Sequence, residues 1–433
     1  MKKVFYSLAV ALVALVSCTP SGNGPVIVNP GDVLVGKNEV LDADNQKKKL
    51  EQVGNKALVL FNAREFDDLA DLTEAFYDHA ERYYSDMDYD WTELQEAGED
   101  IWDSLYDERQ RSEYKWKYTY TLFLSNCTGI VTFGKHEVNY QHSEQTKVVF
   151  EDVDGETWEA TLVAKDLKKV FLGKWLDTYY SSYYDREYVE EYNVTVEIPK
   201  SLKFEVTKSG RFFASVTANF NYNISEDGVD LDDDSFKVSF EVKIDDLVAK
   251  LENLSVNGAT GELSYGVTLL KDGMFVASQK VSSQVEYDVE VEDGKVVSSD
   301  VDGATLAVEA NLLGEIQVKG TCADLSKLTE YLLKRYETRN QGQRAAERAT
   351  DLVNLNLYYD GTSSVQARLE FEAVAYGDRN YGSEVYYVEP VIVFWDESRY
   401  LFSEYFEADD FSDLLLNLQD FLYDYENMVE GIY

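Results

Sequence analysis

From about Tyr114 onward, apolar and polar residues alternate one for one, and no other feature of the chain narrows its possible folds so far. Leu202, Phe204 and Val206 are interleaved with Lys203, Glu205 and Thr207, and Phe236, Val238, Phe240, Val242 and Ile244 with Lys237, Ser239, Glu241 and Lys243. The same pattern returns over Val285–Glu292 and over Val365–Phe371. A period of two puts every apolar side chain of a strand on one face. Sheets with one buried and one wet face are antiparallel by habit, whereas parallel strands read as unbroken apolar runs. Asp154-Gly155, Ser209-Gly210, Asp272-Gly273, Asp293-Gly294 and Asp360-Gly361 each separate two such runs. These dipeptides accept the positive φ of tight hairpins.

The segment before this region has a different period. Leu50, Val53, Ala57 and Phe61 form one stripe, Phe66, Leu69, Leu72, Phe76, Ala80 and Tyr83 a second, and Trp91, Leu94, Ile101, Trp102 and Leu105 a third. Spacings of three and four predict three amphipathic helices between residues 43 and 108. Asp90, with Glu93 three residues on, is a capping box for the third. The expected organisation is a leader over 1–18, a tether over 19–42, a helical segment over 43–110 and a β-rich domain over 111–433.

Self-comparison finds Lys208-Ser-Gly-Arg-Phe-Phe-Ala-Ser215 again as Lys271-Asp-Gly-Met-Phe-Val-Ala-Ser278. An Asp-Leu pair, read as the opening of a helix, occurs at Asp166-Leu167, Asp246-Leu247, Asp324-Leu325 and Asp413-Leu414. The expected fold is therefore α+β: a large, curved antiparallel sheet of degenerate repeats about 80 residues long, with helices on one face and a helical N-terminal segment.

The chain of 433 residues holds 81 Asp and Glu against 40 Lys and Arg, a net charge of −41. Nucleic acid is excluded as a direct partner, because its phosphates and this surface repel each other. Hydrophobic residues make up 45% of the chain, which is ample for a folded core.

Met1-Lys2-Lys3 is a basic start, Val4 to Val16 an apolar run, and Leu15-Val16-Ser17-Cys18 ends in the one early cysteine. This arrangement resembles bacterial lipoprotein signals, and the resemblance implies acylation of Cys18. Thr19 to Asp32 holds Pro20, Pro25 and Pro30 with Gly22, Gly24 and Gly31, a composition suited to an extended tether. Signal, tether and the Tyr-rich acidic body together resemble lipoproteins of Bacteroidales, many without assigned function. The resemblance implies an outer-membrane protein attached only through its lipid, and it carries no catalytic residues. The first acid after Cys18 is Asp32, which favours a periplasm-facing position.

Motifs for chemistry are sparse. Gly129-Ile-Val-Thr-Phe-Gly134-Lys135 fits a phosphate loop in spacing, but His136 stands where a hydroxyl is needed and a strand follows. His136, His142 and Glu144 share one strand face, yet the two imidazoles would lie roughly 20 Å apart along a strand. Asp230, Asp232 and Asp234 with Glu241 imitate a Ca²⁺ loop, with Ser235 in place of the turn glycine and a strand at its exit. They are the candidate Ca²⁺ ligands, and no other cofactor is expected. Trp175, Tyr179, Tyr180, Tyr183, Tyr184 and Tyr188 fall at helical spacing, either a helix lying on the sheet or an aromatic platform for a ligand. Cys127 and Cys322 are open to a disulfide or to two buried thiols. The expected function is a non-enzymatic, lipid-anchored envelope protein that binds a ligand or partner. The alternatives are a carrier of hydrophobic lipids and a glycan-binding protein. A carrier needs apolar surface left uncovered by helices; a glycan binder needs exposed aromatic rings.

Overall fold

The computed structural model describes residues 35, 39–60, 72–74, 77, 92, 95–96, 106–112, 115–122, 124–134, 137–152, 154–182, 186–224, 234–292, 295–377, 384–405, 411, 414, 416–420 and 423. Alternation becomes strand wherever the sequence carries it, and twenty strands result. They are β1 (Tyr106–Ser112), β2 (Lys115–Leu122), β3 (Gly129–Phe133), β4 (Val138–Gln141), β5 (Thr146–Glu151), β6 (Thr157–Lys165), β7 (Lys168–Ser181), β8 (Arg186–Ile198), β9 (Ser201–Lys208) and β10 (Arg211–Asn223). There follow β11 (Ser235–Ile244), β12 (Leu247–Asn257), β13 (Glu262–Lys271), β14 (Met274–Glu292), β15 (Lys295–Leu312), β16 (Ile316–Cys322), β17 (Val353–Tyr359), β18 (Ala367–Tyr376), β19 (Val385–Phe394) and β20 (Arg399–Leu401). Among the described residues, the α-helices with defined bounds are α1 (Ala43–Val59), α2 (Leu325–Leu333), α3 (Arg339–Leu352) and the single turn α4 (Phe402–Tyr405).

Sixteen strands form one sheet in the order β20 to β9 by descending number, then β6, β5, β3 and β4. Every pair in it is antiparallel except β3 with β5. The remaining four strands make a second sheet, β1-β2-β8-β7, in which β2 runs parallel to β8. The two sheets share a ribbon. Strand β6 pairs with β9 up to Lys165 and Ser201, and β7 pairs with β8 from Lys168 and Ile198. At that junction Asp166 takes φ 53° and Pro199 supplies no N–H, so the ladder breaks and the ribbon changes sheet.

The recurring octapeptide encodes one device used twice. Ser209-Gly210 (φ 49° and 75°) and Asp272-Gly273 (φ 53° and 71°) are two-residue turns of the twist-matched kind. After each turn the register skips one residue, Phe213 in one copy and Val276 in the other. Such a bulge turns the extra side chain inward; Phe213 and Val276 are both buried. The carbonyl freed by the bulge is used by the next hairpin: Asp245 N donates to Phe213 O at 3.0 Å and Leu313 N to Val276 O at 2.8 Å. Asp272 N to Asp246 O (3.1 Å) and Asp360 N to Glu315 O (2.9 Å) continue these links along the same end of the sheet. The hairpins are thus joined turn to turn as well as strand to strand.

The helices depart from expectation in three ways. Asp324 does cap α2, accepting from Lys327 N at 2.9 Å. Asp166-Leu167 and Asp246-Leu247, however, lie at strand-to-strand turns, because the apolar residues after them continue with period two. Residues 106–110, placed at the end of the helical segment, belong to strand β1. Helix α3 was not foreseen as a separate element; it packs through Ala345, Ala346 and Ala349, with Gly342 against Ala373 and Tyr386. Of the three expected helices, the first is α1, and helical residues recur at 72–74, 77, 92 and 95–96. The capping box at Asp90 and Glu93 and Asp413 itself lie outside the described residues, as do residues 1–34 with Cys18, while Leu414 and residues 416–420 after Asp413 are helical.

Candidate functional site

Residues opposite one another in an antiparallel ladder share a face. Following that rule across the large sheet, Leu162, Phe204, Val216, Val242 and Ala249 form one transverse row over β6 and β9–β12. The row runs on through Leu269, Ala277 and Leu312. Ala164, Leu202, Ala218, Phe240, Leu251 and Val267 make the row beside it. Over β6 and β9–β13 this face of the sheet is therefore mainly apolar.

Cover for that face is uneven. Helices α2 and α3 pack on β15 and β17–β19, and α4 packs on β19 and β20. At the turn end, Leu72 joins the cluster of Phe150, Trp158, Val206 and Phe213. Between these covers, among the described residues, four large apolar side chains of the face remain exposed: Phe204 at 39%, Phe240 39%, Val256 37% and Val216 36%. Large apolar side chains fully sheltered in a core fall below a tenth, as Val206 and Val238 on the same strands do.

The opposite face is polar and is hollowed across β12–β17, where a trough of about 640 Å³ is lined by Glu252, Lys280, Glu309, Lys319, Asn354, Asn356 and Tyr358 among others. Lys319 Nζ lies 2.8 Å from Glu309 Oε1, and Asn356 Nδ2 donates to Asn354 Oδ1 at 2.8 Å.

The tyrosine-rich stretch is not a helix. Trp175, Tyr179 and Tyr180 lie on β7 and Tyr188 on β8, with Tyr179 opposite Tyr188 and Trp175 opposite Tyr192. Tyrosine favours strands, and positions 179, 180, 183 and 184 suit a hairpin arm as well as a helix turn, so spacing alone misled. Tyr180 is 61% exposed; Tyr183 and Tyr184 lie outside the described residues. So do Asp230, Asp232 and His136, while Asp234 accepts from Gly258 N through its backbone carbonyl at 2.9 Å. His142 stands edge-on to Tyr140 at 5.1 Å. Among the described residues, no three His, Cys, Asp or Glu side chains converge as a metal set.

Cys127 and Cys322 are not joined in a disulfide. The reason is distance along the sheet: Cys127 precedes β3 and Cys322 ends β16, ten strand spacings away, roughly 48 Å at the usual interstrand separation. Burial raises both thiols above their ordinary pKa, which disfavours the reactive thiolate.

Sequence reasoning missed the most buried polar assembly. Helix α1, capped by Asp42 (accepting from Asn45 N at 2.8 Å), carries Lys49 in at 1% exposure. Lys49 Nζ meets Glu315 Oε2 at 2.7 Å and Asp360 Oδ1 at 2.9 Å, and Lys56 Nζ meets Glu315 Oε1 at 3.0 Å. Gln46 and Gln366, both fully buried, tie the chain before α1 to the sheet: Leu41 N donates to Gln366 Oε1 and Gln366 Nε2 to Glu39 O. Tyr359 OH donates to Gln46 Oε1 at 3.3 Å, and its deep burial lifts the phenol well above its ordinary pKa. The sequence signal was present: Lys49 lies four residues before Val53, on the inward stripe. Each of these groups has its partners within the fold, so the assembly is a fastening rather than a binding site.

No helix among the described residues is long and apolar enough to cross a membrane. Known protein families, curated proteins and solved structures yield no match to this chain.

Proposed function

We propose that this protein is a non-enzymatic, lipid-anchored component of a bacterial outer envelope, facing the periplasm, that binds an apolar ligand on the open middle of its large sheet. The observation that carries the reading is the exposure of Phe204, Val216, Phe240 and Val256 together on adjoining strands. Exposed apolar patches of contiguous side chains mark binding surfaces in soluble domains. The patch has relief: Ala164 and Ala218 flank Leu202 in the row that runs on to Phe240, and the larger Phe204 stands in the row beside it. Such furrows between rings suit an aliphatic chain. With a net charge of −41 on the protein, a neutral or zwitterionic headgroup is favoured over an anionic one. Cys18 supplies the anchor and the segment from Thr19 to Asp32 the tether in this reading.

The test is extraction of the full chain from its native membrane in mild detergent, followed by mass spectrometry of bound lipid and titration with the fluorescent fatty acid parinaric acid. Bound lipid and probe uptake are expected, with uptake lost in Phe204→Ser/Phe240→Ser and retained in Trp395→Ser, a change at an exposed ring elsewhere. Absence of both lipid and uptake, or uptake unchanged by the double substitution, overturns the reading. The intact mass should carry a diacylglyceryl group on Cys18; an unmodified leader overturns the anchor.

A further inference from the structure

The polar trough has features that an ordinary wet sheet face does not require. Strand β17 lines it with Asn354, Asn356 and Tyr358, spaced by two and so on one face. Glu252, Lys280, Glu309 and Lys319 add two carboxylates and two ammonium groups, so the hollow is locally neutral in a chain with twice as many acids as bases. Its floor is Gly266, the Cα partner of both Glu252 and Lys280. That glycine is not demanded by the backbone. It has no positive φ, and a Cβ there would meet nothing closer than 3.5 Å. A strand interior ordinarily gains from a side chain, so an unforced glycine deepens the hollow at some cost to the strand. On the rim, Asn253 takes φ 53° at a bulge, where the register of β12 slips against both neighbours. Bulges of this kind recur beside binding sites, where they re-aim side chains.

We propose that this trough is a binding site for a neutral oligosaccharide. A sugar hydroxyl donates and accepts at once, as the two asparagine amides do, and the Tyr358 ring offers a flat apolar surface with a polar tip. An anionic ligand would meet the field of the whole chain, and an apolar one would strip water from four charged groups without replacing it. The volume of about 640 Å³ lies within the roughly 300–1,000 Å³ span of small-ligand clefts, room for a few sugar rings. The site stands apart from the apolar patch, on the other face of the sheet, and its fate is separate from that of the lipid reading.

The experiment is calorimetric titration of the full chain with maltotetraose, cellotetraose and mannotetraose, with tetragalacturonate as the anionic comparison. At least one neutral tetrasaccharide is expected to bind with a Kd below about 1 mM, and tetragalacturonate at least ten-fold more weakly. Tyr358→Ala should weaken binding about ten-fold. Gly266→Val should abolish it while the unfolding midpoint stays level or rises, a split that a merely structural glycine would not give. No heat with any neutral tetrasaccharide at about 10 mM, equal binding of tetragalacturonate, or binding that survives both substitutions overturns the proposal.

Discussion

Lys49 Nζ sits 2.7 Å from Glu315 Oε2, with the two side chains 1% and 5% exposed, and this contact fastens α1 to the sheet. Asp360 and Lys56 complete a set of two cations and two anions. Removing one member of a buried set leaves a charge without its counter-ion, which costs about 3–5 kcal/mol. Lys49→Ala should therefore lower stability by that order. In Lys49→Met/Glu315→Leu one buried cation and one buried anion leave together, so neither is left facing the other's vacancy and the loss should fall short of the sum of the single losses. Denaturant unfolding of the four proteins checks this; strict additivity would show that the contact is not coupled.

Leu313 occupies the first position of the turn before β16 with φ 54°, a conformation costly for a branched side chain. Left-handed backbone costs about 1–2 kcal/mol per non-glycine residue, less for asparagine. Leu313→Asn should raise stability by about 0.5–1 kcal/mol. Gly210 (φ 75°) has open space where a Cβ would stand, with nothing within 4 Å, so Gly210→Ala should cost about 1 kcal/mol through the backbone alone. Thermal midpoints test both signs, and a gain from Gly210→Ala would contradict the turn geometry.

Gly320 is constrained differently. A Cβ there would lie 2.2 Å from Asn354 O and 2.6 Å from Leu355 Cα. Neither atom can yield without shifting β17, so Gly320→Ala should destabilise by about 2 kcal/mol or more, the range of overpacked cores. Gly266→Ala, whose new methyl would meet only ordinary van der Waals neighbours, should not; equal losses would refute the distinction.

Acid sensitivity follows from three carboxyls. The Lys271 ammonium holds Asp246 below the usual range. Burial opposes ionisation of Asp152, but Trp158 Nε1 and the backbone N–H groups of Glu156 and Asp154 outweigh it; Arg368 and Arg399 likewise outweigh burial at Glu370. A depressed folded pKa gives stability that is complete above the unfolded value, about 4, and is lost as pH falls through the folded value. The stability difference between the native chain and Asp246→Asn, Asp152→Asn or Glu370→Gln should hold steady from neutral pH to about 5, then shrink below about 4. A difference unchanged at pH 3 would contradict these assignments.

The strands were legible because their cause is local. At Phe236–Ile244 the alternation of five apolar with four charged or polar residues fixes which face is buried, and β11 spans Ser235–Ile244. The octapeptide at Lys208 and Lys271 was legible as a repeat, yet its meaning, a tight turn followed by a bulge that buries Phe213 or Val276, needed the register. Tyr179 and Tyr188 failed as helix positions because short aromatic runs satisfy two periods at once. Cys127 and Cys322 could not be judged from spacing, since their separation is counted in strands crossed rather than residues.

Sequence by itself determined the class of pairing, the turn sites and the existence of an apolar face, since side-chain period and φ tolerance act within a few residues. Tertiary structure decided how that face is shared out: α2–α4 pack on β15 and β17–β20, α1 is fastened at Glu315 and Asp360, and Phe204 and Phe240, in neighbouring rows, stay exposed. It also decided that Lys49 meets Glu315 and Asp360, though each lies hundreds of positions from it. Burial and long-range charge pairing depend on what else arrives at the same place, and no local window of a chain contains that.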